Sequence, residues 1–152
     1  MEKQTLHQVA EISLTYRPQI RPMDRPQVST AKEAYQVLLS AWDKGKIEFI
    51  EEFKVILLNR NKRVLGIYTV TTGGLSECLV DTKLVFASAL LGCATDIILA
   101  HNHPSGNKHP SVNDYRLTKQ LREAGRVLGI EVVDHIIVTP DDYYSFADEG
   151  VI

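Results

Sequence analysis

The chain reads as one α/β domain, a mixed β-sheet flanked by helices, and three observations carry that reading. A length of 152 residues favours a single compact unit. Short aliphatic, β-branched runs alternate with segments whose apolar residues recur at helical spacing, in the order αββ(β)αβαβ, which implies a sheet with helices packed against it. The composition, 44% hydrophobic and 24% charged, is that of an ordinary globular protein.

The elements follow in chain order. Residues 1–28 form an N-terminal arm and linker. Residues 9–16 alternate enough for one edge strand, and residues 17–26, with three prolines and three arginines, read as an extended linker. From residue 29 to 152 the pattern is that of the domain proper. Residues 29–33 suit a helix start, and the helix continues through Tyr35, Val37, Leu38 and Trp42 to end near Gly45. Residues 53–58 form a strong strand, 59–62 a hairpin turn and 64–70 its partner. Gly73 and Gly74 mark a break, and residues 75–79 a short strand or extended loop. Residues 82–93 are apolar at helical spacing. Residues 96–100 are a buried strand, and 112–128 a helix with Leu117, Leu121, Ala124 and Leu128 as its core stripe. Residues 131–139 form a second β-branched strand, and 141–144 a polar turn before the tail.

Composition also narrows the function. A net charge of −2 gives no basic excess of the kind a dedicated nucleic-acid binder carries. No apolar run approaches the roughly 20 residues of a membrane span, and the first residues lack an apolar signal region. Cys78 and Cys93 form no Cys-x-x-Cys pair and read as buried thiols of a reducing compartment, neither of them a zinc ligand. A cytoplasmic location is the resulting expectation.

The chemistry concentrates after the strand at 96–100, in His101-Asn102-His103-Pro104-Ser105-Gly106 and, past a short loop, Ser111 and Asp114. Residues two apart on a strand face the same side, so His101 and His103 can reach one point while Asn102 turns away. Pro104, Ser105 and Gly106 break the strand and return the chain. Two imidazoles and a carboxylate at a strand end can hold one zinc ion and leave a fourth position for water, the open type of site. Ser111 and Asp114 have a second reading, as N-cap and N3 residue of a capping box that starts the next helix.

These residues resemble the signature of the RadC proteins, within the JAMM/MPN+ metalloprotease superfamily: an upstream Glu, then His-x-His, seven residues, Ser, two residues, Asp. The resemblance extends to residues 51–59, 89–94, 134–138 and 144–150, and covers roughly residues 30 to 152. It implies a JAMM/MPN-like (cytidine-deaminase-like) fold and a Zn2+ cofactor held by His101, His103 and Asp114. It also implies an upstream glutamate as general base and Ser111 as a hydroxyl donor to a developing oxyanion. Glu51 and Glu52 are both candidates for the base. They face opposite sides of their strand, and the family's Glu-x-Phe pattern favours Glu51. Without the motif both would read as solvated acids.

The resemblance implies amide hydrolysis, with a peptide or protein as substrate. The family name also carries a link to DNA repair and mobile elements, so a DNA-binding protein or nuclease and a non-catalytic binding scaffold stand as alternatives. No partner in a membrane is expected. Family members often carry a further helical N-terminal region, which this chain is too short to hold. His135 reads as a hydrogen-bonded structural histidine or as support for the site, and His109 as a solvated loop residue or a spare ligand. Ser76 lies in a segment that could line the cleft. Lys108, Lys119, Arg122 and Arg126 read as helix-surface charge or a basic edge.

Overall fold

The central strands are apolar without alternation because both faces of the sheet are covered. In the computed structural model, which describes residues 9–74 and 79–152, the elements run α1 (Ala31–Ala41), β1 (Glu52–Leu58), β2 (Val64–Thr72), α2 (Thr82–Leu91), β3 (Asp96–Asn102), α3 (Val112–Leu128), β4 (Glu131–Val138) and β5 (Tyr143–Ser145). The five strands form one sheet in the order β2-β1-β3-β4-β5. Every pairing is antiparallel except β3 with β4, which are parallel and joined through α3. This is a mixed sheet flanked by three helices, a JAB/MPN-like α/β fold in one small domain.

The sheet separates two cores. On one face Ala34, Tyr35 and Leu38 of α1, with Trp42 just past its end, pack over Ile56, Leu58, Ile98, Ala100, Ile136 and Val138. On the other, Val85, Phe86 and Ala89 of α2 and Leu121 of α3 pack over Phe53, Val55, Leu57, Ile97, Leu99 and Val132. Strand parity thus sends odd-numbered residues of β1 and β3 toward α2 and α3, and even-numbered ones toward α1.

Helix starts follow their caps. Thr30 and Glu33 close a capping box on α1, and Ser111 and Asp114 close one on α3. Gly129, in the left-handed conformation, ends α3.

Five expectations are corrected. Residues 9–16 form no strand; Val9, Ile12 and Leu14 lie exposed, with only the Tyr16 hydroxyl tied to the Leu65 carbonyl at 3.1 Å. Residues 17–26 are not wholly extended, since Pro22–Asp24 make a 3-10 turn. The α3 stripe is wider and shorter than expected: Leu117, Leu121 and Ala124 pack on the core, Thr118 and Gly125 are buried beside them, and Leu128 is exposed beside the C-cap. The polar stretch 141–144 contains the start of β5, a three-residue strand paired with β4 and hidden at sequence level by the turn-like Asp141 and Asp142 before it. Cys93 is exposed, because the chain leaves α2 there through a left-handed turn (φ 55°) that points it outward. Cys78, Ser76 and most of the strand expected at 75–79 lie outside the described residues.

Candidate metal centre

The site sits at the C-terminal end of β3, where parity and a helix start converge. His101 is the last odd residue within β3 and pairs with Phe53 of β1. Extending that register by two residue pairs sets Glu52 opposite Asn102 and Glu51 opposite His103. The side chains obey it. Glu51, His101 and His103 bring ligand atoms within 4.8 Å of one another. Glu52 turns to the α1 face, where it is buried with its carboxylate 3.5 Å from Lys54 Nζ and accepts from the Thr72 hydroxyl at 3.3 Å. Lys54 in turn lies over the Trp42 ring. The register therefore separates the two glutamates: Glu51 joins the histidines, and Glu52 is a paired structural acid rather than a solvated one.

Asn102 turns away from the histidines, and its side chain has a task of its own. Its Oδ1 accepts from Glu52 N at 2.7 Å, and its Nδ2 donates to the carbonyls of Ile47 at 2.7 Å and Ile50 at 2.9 Å. All three bonds are buried or nearly so. They clamp the segment that carries Glu51 onto the strand that carries the histidines.

Asp114 arrives from α3. The turn at His103–Gly106, closed by Gly106 N donating to His103 O with Gly106 at φ 80°, folds the chain back to the N-terminus of that helix. Asp114 Oδ1 lies 3.2 Å from His101 Nε2, its Oδ2 lies 3.4 Å from His103 Nε2, and the two Nε2 atoms are 3.0 Å apart. A tetrahedral zinc ion with bonds of about 2.0–2.1 Å has ligand–ligand edges of about 3.3 Å. The three edges here match that triangle, so His101, His103 and Asp114 fit a zinc ion as three ligands. Glu51 lies within reach beside them.

Burial pushes the Asp114 carboxyl up, but the hydrogen bonds and charge that His101 and His103 supply when protonated, with the Ser111 N–H, outweigh it and hold the group far below the usual carboxylate range. Burial lowers His103, and its bonds to Asp114 and the Asn107 carbonyl, with the negative charge of Asp114 and Glu51, raise it above its ordinary value overall. Asp114 thus favours its ionised form, the form in which a carboxylate can hold a metal ion.

Ser111 both caps the helix and stands at the mouth of the site. Its Oγ accepts from Asp114 N at 3.1 Å, while Asp114 Oδ2 accepts from Ser111 N at 2.8 Å. Capping uses a lone pair of the hydroxyl and leaves its proton to donate elsewhere. His135 is fully buried and bonds directly to His101, with Nε2 2.8 Å from His101 Nδ1. His109 is exposed and edges against Tyr144, away from the convergence point. Lys108 pairs with Asp142, which ties the loop to the β4–β5 turn. Lys119 and Arg126 are exposed on α3. Thr118 is a residue of the site neighbourhood that the sequence reading missed. Its position one turn after Asp114 on the same helix was the available signal.

An α/β domain with two strand-end histidines and a helix-start aspartate defines a class, that of JAB-type domains with a candidate metal site. Comparison with known proteins agrees. The family model for the RadC-like JAB domain matches residues 28–151, and the chain belongs to that family. It is similar to a UPF0758 protein of Flavobacterium johnsoniae, 44% identical over 125 residues that cover 82% of this chain and 53% of the relative. A UPF0758 protein of Salinibacter ruber is 45% identical over 120 residues, 79% of this chain and 49% of the relative. One from Symbiobacterium thermophilum is 37% identical over 144 residues, 95% and 60% respectively. The chain thus spans about half the length of the curated relatives it matches. Among the described residues, no helix is long and apolar enough to cross a membrane.

Proposed function

We propose that the domain is a zinc-dependent hydrolase acting on amide bonds of a peptide or protein, a metallopeptidase or isopeptidase in type. The observation that carries this reading is the triangle of Nε2, Nε2 and carboxylate atoms with edges of 3.0, 3.2 and 3.4 Å, beside a fourth group, Glu51. His101, His103 and Asp114 would hold the ion, which when bound supplies a Lewis acid that makes hydroxide available near neutral pH. Glu51, within reach of the histidines, would take a proton and return it to the departing amine. The Ser111 hydroxyl would donate to the oxygen that gains charge. The amide reading follows the family's chemistry, because one ion with two imidazoles and one carboxylate suits attack on a carbonyl.

The experiment pairs metal content with cleavage. The purified chain should carry or take up about one zinc per molecule, and Asp114→Ala and His103→Ala should lose it while remaining folded. Glu51→Gln should keep the zinc and lose peptide or isopeptide cleavage by about 10²–10⁴-fold, the usual contribution of a positioned general base. A wild-type protein that takes up no zinc on titration would sink the proposal.

A further inference from the structure

We infer that His135 and Thr118 are positioning residues that fix the tautomer of His101, presenting its Nε2 to the metal site as a bare nitrogen. The inference rests on the reading of that site as a metal centre. It follows from where each proton can go along a buried chain of three hydrogen bonds.

The chain begins at the main-chain carbonyl of Asp114. Thr118 Oγ1 lies 2.7 Å from that oxygen and 2.6 Å from His135 Nδ1. A carbonyl oxygen can only accept, so the single hydroxyl proton of Thr118 goes to Asp114 O. Thr118 must then accept from His135, which places the proton of His135 on Nδ1. His135 is fully buried among Phe146, which stacks on it with ring centroids 4.7 Å apart, Phe53 and His101. Fully buried, and with its two nitrogens facing a hydroxyl and another imidazole rather than a carboxylate that could balance a positive charge, it carries one proton only. Its Nε2 is therefore bare and must accept from His101 Nδ1, 2.8 Å away. With the proton committed to Nδ1, the Nε2 of His101 is the position left for a cation.

His103 is fixed independently by the same logic. Its Nδ1 donates to the Asn107 carbonyl, which leaves its Nε2 toward His101. Two imidazole nitrogens with facing lone pairs 3.0 Å apart repel unless a proton or a metal ion lies between them and Asp114. The scaffold is thus set for a cation before one arrives. Metal-ligating histidines usually give their second N–H to a carboxylate, a carbonyl or water, and loss of such partners costs 10–100-fold in metal affinity. Here a neutral histidine takes that place, and a threonine hydroxyl on the helix that supplies Asp114 dictates its orientation.

Thr118→Val tests the chain without touching a ligand, because valine has nearly the threonine shape and lacks the hydroxyl. Without Thr118 as acceptor, His135 gains by moving its proton to Nε2, which drives the His101 proton to its own Nε2 and blocks the ligand position. Two readouts apply to the full chain. Zinc affinity by chelator competition should fall about 10–100-fold in Thr118→Val and stay near wild type in Thr118→Ser. In the metal-free protein above pH 7.5, ring 15N shifts should report the Nδ1–H form of His101 and His135 in wild type and Thr118→Ser, and its loss in Thr118→Val. Equal zinc affinity in all three proteins, or His101 protonated on Nε2 alone in the wild type, would overturn the inference. A wild type that binds no zinc yet shows both Nδ1–H forms would refute the metal reading and leave the proton chain supported.

Discussion

Replacing Asn102 by alanine should loosen the segment that carries Glu51 without touching His101, His103 or Asp114. The side chain makes three hydrogen bonds of 2.7, 2.7 and 2.9 Å to Glu52 N, Ile47 O and Ile50 O. Two carbonyls on one side and an N–H on the other define its amide orientation, and no water-accessible route replaces them, since Asn102 is fully buried. Each such bond contributes about 1 kcal/mol net, and each buried group left unsatisfied costs about 1–3 kcal/mol. Three together give a loss of about 3 kcal/mol or more, equivalent to a fall in melting temperature of roughly 6–12 °C for a chain of this size. Urea titration of the zinc-loaded protein measures it. Because His101 and His103 face the other side of the strand, zinc stoichiometry should hold while cleavage falls with the displacement of Glu51. Asn102→Asp should be no better, for it keeps the acceptor but turns an oxygen toward two carbonyls. A loss below about 0.5 kcal/mol, or zinc release in step with the stability loss, would refute the view that Asn102 clamps the Glu51 segment rather than the ligands.

Two further outcomes are expected. The metal-free protein should become less stable as pH falls from about 7.5 to 5.5. Burial, then the charge of His101, holds the folded His135 well below the unfolded value of 6.5, so the stability its neutrality contributes is present above 6.5 and is lost as pH drops. His103 acts in the opposite direction, with a folded value raised above 6.5 and a contribution that fades as pH rises, but its shift is the smaller. Urea midpoints at the two pH values decide, and equal or higher stability at pH 5.5 would contradict the assignment. Gly125→Ala should destabilise by about 1–2 kcal/mol despite the better helix propensity of alanine. Its Cβ would be driven into the Ile130 carbonyl and to 3.3 Å from the Phe86 ring. A urea midpoint at or above wild type would show that α3 can shift away from β4.

Much of this protein was legible along the chain because local rules govern it. Period-3.6 and strand patterns located α3 at Val112–Leu128 and β3 at its observed start, and the capping residues Ser111 and Asp114 form the box their spacing suggested. The elements that went astray lack a local cause. Residues 9–16 alternate like a strand, yet alternation needs a neighbouring edge to pair with, and none among the described residues takes it up. β5 is short and polar in sequence, and exists because β4 offers it an edge.

The sequence by itself determined which groups could meet: two histidines on one strand face, an aspartate at a helix start, and a glutamate near the first core strand. Only the tertiary structure decided between Glu51 and Glu52, because that choice depends on the register of β1 against β3, a pairing across more than 40 residues of chain. The same holds for His135. An irregularity near Val133 brings it into line with Leu99 on the histidine face, where it reaches both His101 and Thr118. Periodicity reports which face of its own element a residue occupies. Which residues of different elements share a point in space is set by strand register and helix rotation, and those are fixed by packing the two cores at once.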